Sequence, residues 1–131
     1  MTIEFVNPLG VRKAAGFTQA VKVTPPATLV FISGQPGVDE KDHVVAVGDL
    51  EKQTRQAMEN IGKILESMGA SFKDLVALTI FTTRIHELAA IRKTRNEFLD
   101  RENPPTLCSV GVTGFAREEY LIEIKAVAAI R

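Results

Sequence analysis

DLEKQTRQAMENIGKILESMG, residues 49 to 69, holds the periodicity on which the fold turns. Leu50, Thr54, Ala57, Ile61, Ile64, Leu65 and Met68 recur at three- and four-residue intervals, which gathers them on one face of a helix. Asp49 offers the side-chain oxygen that an N-cap needs, and Gly69 offers a residue that can turn left-handed and stop the helix. A chain that commits this much apolar surface to one stripe must lay it on another layer, so the flanking segments have to supply a sheet.

Downstream, Ser71 with Asp74 resembles a short capping box, and Val76 to Thr82 then alternates and carries β-branched residues, which predicts one turn followed by a strand. Leu88, Ile91, Phe98 and Leu99 make the stripe of a second helix over roughly His86 to Asp100. Pro104 and Pro105 end it and open a strand in NPPTLCSVGV, residues 103 to 112. Tyr120 to Ile130 alternates, with Ile122, Ile124, Ala126, Ala128 and Ile130 on one face. Upstream, Gly16 to Val23 and Thr28 to Ser33 read as two strands joined through Pro25 and Pro26, a hairpin, and His43 to Val47 as a weaker third strand.

Strands, helix, strand, helix, strands describe an α+β layer with two helices on one sheet face. Two helices about 10 Å across cover about four strands at ~4.8 Å spacing and leave the far face bare. That face is apolar as well: Ala77, Thr79 and Phe81 oppose Val76, Leu78 and Ile80, while Val127 and Ala129 oppose the isoleucine face. An uncovered apolar sheet predicts self-association.

At 131 residues, one domain spanning 1 to 131 is expected, with a core large enough to need neither disulfide nor structural metal. Sixteen basic and sixteen acidic residues cancel, so no overall field recruits nucleic acid or an anionic membrane. No apolar run approaches the ~20 residues that span a bilayer, and MTIEFVNPLG lacks a signal-peptide pattern, so a soluble, cytoplasmic protein is expected. A single cysteine and two distant histidines make no metal-ligand cluster, and neither metal nor cofactor is implied.

GFTQAVKV, ISGQPGVD, EKQTRQAMENIGKILESMGAS and IEIKAVAAI resemble, in order and spacing, the Rid family, also called YjgF, over nearly the whole chain. The resemblance implies a chorismate-mutase-like α+β fold and a homotrimer with small-molecule clefts between subunits. In one branch it also implies hydrolysis of reactive enamines and imines to a keto acid and ammonia. The family's P-A-R-S strand, whose arginine grips the substrate carboxylate, matches Pro105, Thr106, Leu107 and Cys108 here, so Leu107 stands at the anchor position. A charge-assisted hydrogen bond is worth about 1.5–3 kcal/mol and a bidentate guanidinium makes two, so amino-acid-derived imines lose their usual grip. The family's G-P-Y-S-Q reads Ala15 to Gln19, and Phe17 replaces a hydroxyl that contacts ligand. Glu123 matches the acidic residue that orients or deprotonates water, a role a carboxylate can fill because an imine carbon is already electrophilic.

Each of these residues also has a plainer reading. Glu123 and Lys125 form the solvated face of a half-buried strand; Cys108 is a small packed residue with no cationic neighbour in sequence; Ser33 and Gly34 end a strand with a turn. The resemblance makes Ser33, Gly34, Phe17, Leu107 and Cys108 the cleft wall. Ser109 has no histidine predicted beside it and is not expected to be a nucleophile.

The second helix contains an anomaly. At about 100° per residue, Arg95 falls in the middle of the apolar stripe, with Arg92 at its edge. Either Arg95 snorkels, laying its stem on the core and its head in water, or one of these arginines takes over the anionic contact from another wall of the cleft. Three functions follow: an imine or enamine hydrolase of altered specificity, a metabolite-binding trimer without turnover, and, least supported by charge and aromatic content, an endoribonuclease.

Overall fold

The Asp49 carboxylate accepts from the Lys52 amide at 3.0 Å and starts a helix, α1, that runs Leu50–Glu66. One face of α1 buries Leu50, Gln53, Thr54, Ala57, Met58, Ile61 and Leu65, and Gly69 turns left-handed after it at φ +70°. The chain is described for residues 1–131 by a computed structural model. Its strands are β1 Thr2–Val6, β2 Ala20–Thr24, β3 Thr28–Pro36, β4 Leu75–Thr82, β5 Thr106–Gly111 and β6 Ile122–Ile130, and the second helix, α2, spans Leu88–Arg95.

Four strands form the main sheet in the order β3-β6-β4-β5. β6 lies between β3 and β4, antiparallel to both, while β4 and β5 run parallel and so need the crossover that α2 supplies. Ile122, Ile124, Ala126 and Ala128 on β6 join Leu78 and Ile80 on β4 beneath Met58, Ile61, Leu65 and Ile91 of the helices, which makes one continuous core. The predicted capping box holds: the Ser71 amide donates to the Asp74 carboxylate at 2.8 Å and leads into β4.

The predicted hairpin does not form. β2 pairs instead with β1, a strand not predicted above, in the register Ile3↔Val23 and Phe5↔Val21, and β3 pairs with β6. A nine-residue partner with a buried apolar face outweighs the local turn at Pro25 and Pro26. His43 to Val47 is not a strand; only a Val38↔Val44 bridge remains, because the Asp39 carboxylate captures the Lys41 and His43 amides and folds the segment into a side-chain-closed turn. The second helix stops at Arg95 rather than Asp100. Glu97 and Phe98 then bond back three residues, to Thr94 and Arg95, which tightens the chain before the prolines.

Strand register fixes what faces away from the helices. Ala77, Phe81, Val110, Val127, Leu29 and Phe31 surround Thr79, Cys108, Glu123 and Lys125 on that side. Phe31 is 73% exposed and Leu29 51%, so this face is bare at its β3 edge in the single chain, while Ala77, Phe81 and Val127, expected to be bare, are half-buried and Ala129 is buried.

Candidate functional site

The site residues predicted from sequence separate into two groups, and the sheet explains the separation. Between Ile32↔Ala126 and Gln35↔Ile124, β3 spends two residues, Ser33 and Gly34, where β6 spends one. This bulge turns Gly34 against Glu123: a Cβ on Gly34 would lie 3.1 Å from Glu123 Oε1, so only a glycine leaves the carboxylate its place. Ser33 is exposed, and its carbonyl accepts from Gln35 Nε2 at 3.0 Å. Glu123 is half-buried and shares the helix-free face with Phe81 and Val110.

The second group lies at the outer strand. Thr18, buried, donates its amide to Pro105 O at 3.1 Å and its hydroxyl to Pro104 O, which pins the incoming loop to the turn that opens β5. Phe17 therefore stands beside Leu107. Together with Arg12, Ala15, Leu88, Arg92, Arg95 and Ser109 they line a cavity of about 270 Å³. A larger depression of about 630 Å³ near Phe72 and Arg101 balances its cations with Asp100 and Glu102 and holds no unpaired buried group.

Leu107 pairs in register with Leu78, a core residue, and so points to the helix side, whereas Glu123 points to the opposite face two strands away, roughly 10 Å at the usual spacing. No single chain brings them together. Cys108 corrects an expectation twice over: it is exposed rather than packed, and it faces Thr79 and Lys125 instead of the Leu107 cavity. Neighbours on a strand point to opposite faces, so Leu107 and Cys108 cannot line one wall; Ser109, set aside in the sequence reading, is the residue that joins Leu107. Arg12 was also missed, since it sits in a loop where no period distinguishes it.

The cavity's charge is its most unusual property. Arg12, Arg92 and Arg95 line it, and no carboxylate does. Ion pairs occupy Arg55, Arg84 and Arg117 elsewhere, but none of these three. The Arg12 guanidinium carbon lies 5.2 Å from the Phe17 ring centroid, so this ring carries a cation on its face. Arg95 does not snorkel. It is 2% exposed, and its Nε is enclosed with no hydrogen-bond partner. Burial first, and the Arg92 charge second, push its pKa down to about 10, so it remains a cation at neutral pH.

Comparison with known proteins places this geometry. The chain is 34% identical over 110 residues to the 3-aminoacrylate deaminase RutC of Acinetobacter baylyi, covering 84% of this chain and 86% of that protein. A crystal structure of a Rid-family protein of unknown function from Yersinia pestis superposes with a TM-score of 0.89 at 29% identity, over 99% of this chain and 100% of that one. Escherichia coli TdcF, solved with bound serine, gives a TM-score of 0.70 at 28% identity over 91% of each chain. The model of the endoribonuclease L-PSP family matches residues 10–130, so this two-helix, mixed-sheet chain belongs to that family, which includes the Rid and RutC proteins.

Proposed function

We propose that the protein is a homotrimeric imine or enamine hydrolase whose cleft forms when the Glu123 face of one copy meets the Phe17, Leu107 and Ser109 cavity of the next. The observation that carries this reading is that the two halves of the site open on opposite faces of one sheet and can be joined only by a second copy. The exposed Phe31 and Leu29 supply the apolar area for such contact, and the number three follows the family. Similarity to a 3-aminoacrylate deaminase supports the reaction class.

In the proposed reaction Glu123 takes a proton from water as the oxygen attacks the C=N carbon. The proton returns to nitrogen, and the carbinolamine releases ammonia and leaves a carbonyl. Leu107 removes the family's anchor, so an imine with one carboxylate placed against that strand has no partner there. Imines generated by amino-acid and amine oxidases should release ammonia faster with protein than without, and Glu123→Gln should abolish the acceleration while leaving folding intact. No acceleration with any imine would sink the hydrolase. A metabolite-binding role without turnover, favoured by the loss of that anchor, would instead show a ligand-dependent rise in Tm that Glu123→Ala preserves.

A further inference from the structure

Arg95 occupies a place that the amphipathic pattern of α2 reserves for an apolar side chain, and the chain supplies nothing to balance it. Enclosed cations in proteins are paired or bound to something. Here the surroundings do the opposite: a second arginine, Arg92, lines the same cavity, and after burial its charge is what lowers the Arg95 pKa. Arg12 adds a third guanidinium, oriented on the Phe17 ring. The cavity thus has three positive charges, no negative one, the Ser109 hydroxyl, and an apolar wall of Ala15, Leu88 and Leu107. Even with Glu123 of the partner subunit brought to the cleft, as in the proposed trimer, a singly charged ligand would leave one of those guanidiniums unbalanced.

We propose that this cavity binds a compact dianion, with Arg95 as the enclosed anchor and Arg12 and Arg92 closing on it from the exposed rim. A guanidinium fork matches both carboxylate and phosphate, two oxygens to two N–H groups, so a dicarboxylate and a phosphate monoester share the chemistry that the site reads. At about 270 Å³ the space is smaller than the ~300–1,000 Å³ of drug-sized sites, which suits a short metabolite. Resting on the hydrolase reading, the substrate is then an imine or enamine with two negative charges on the side away from its C=N carbon. The anion site itself does not depend on turnover.

Isothermal titration of the whole protein with succinate, inorganic phosphate and butyrate at matched ionic strength tests the site. At least one dianion should bind about tenfold or more tightly than butyrate, as expected for one additional charge-assisted contact. Arg95→Met should lower that affinity by about tenfold or more, with Arg95→Lys, which keeps the charge and loses the fork, as the variant to use if the first does not fold. Preference for succinate alone or phosphate alone identifies the source of the charge, and either supports the site. Dianions binding no better than butyrate, or Arg95→Met binding like the parent, would overturn it. So would dianion binding that appears only after Glu123→Gln, since the carboxylate of a neighbouring copy would then be the partner of Arg95. Tight dianion binding without ammonia release leaves the site standing and removes the hydrolase; ammonia release without dianion preference does the reverse.

Discussion

Gln53 on α1 and Arg95 on α2 are both polar, both turned toward the interior, and treated in contrary ways by the chain. Gln53 is fully buried, its Nε2 donating to Glu119 O at 3.1 Å and Ala46 O at 3.4 Å, and its Oε1 accepting from the Leu121 amide at 3.0 Å. Every polar atom it takes out of water is answered by backbone from two distant loops, so its work is finished when the chain folds. Arg95 is buried to nearly the same degree, and its Nε is answered by nothing. A buried group that the fold satisfies fixes structure; one that the fold leaves open points to a ligand.

The hardest test of that contrast is Gly37→Ala. A Cβ there would lie 2.6 Å from Gln53 Cα and 2.8 Å from Gln53 O, both backbone atoms that cannot swing aside, so the substitution should destabilise by about 4 kcal/mol or more and show as loss of soluble protein or of a cooperative urea transition. Gln53→Leu keeps the volume and orphans the Leu121 amide and two carbonyls, and should cost about 3 kcal/mol in urea unfolding. Arg95→Met should go the other way. Replacing an uncompensated buried cation by an apolar side chain of similar length should stabilise the ligand-free protein by about 1–4 kcal/mol, in the same assay, while removing the anion site. A loss of stability instead would show Arg95 to be structural and end the comparison.

Two smaller effects sharpen the contrast between the faces of the sheet. Phe31→Glu, on an exposed position, should shift the sedimentation velocity to that of a smaller species while changing the unfolding free energy of the dissociated chain by less than about 0.5 kcal/mol. Gly34→Ala pushes on Glu123 Oε1, the movable end of a side chain, so stability should hardly change while the rate of imine hydrolysis falls.

What could be read from sequence divides along the same physical line. α1, β4, β5 and β6 were legible because each has an unbroken period and a strong stop, and the bare sheet face was legible because β4 is apolar on both sides. The pairing of β2 was not: a turn signal between Thr24 and Thr28 is local, whereas the choice between β1 and β3 as partner depends on register with a strand a hundred residues away. Within the site, Arg95 declared itself as a charge in an apolar stripe, although its burial did not. Arg12 could not declare itself, since the segment between β1 and β2 has no repeat to violate. Cys108 was misplaced by treating a strand as a wall, when alternate residues belong to different surfaces.

The Thr18 hydrogen bonds to Pro104 and Pro105 have an evolutionary corollary. They hold the loop by its C-terminal end, through backbone carbonyls that any residue could offer, and place no demand on the identities of residues 8 to 15. Side chains in that stretch, Arg12 included, can be exchanged without breaking either bond, so new ligand preferences could be written into a single tethered segment while the frame around it stays put.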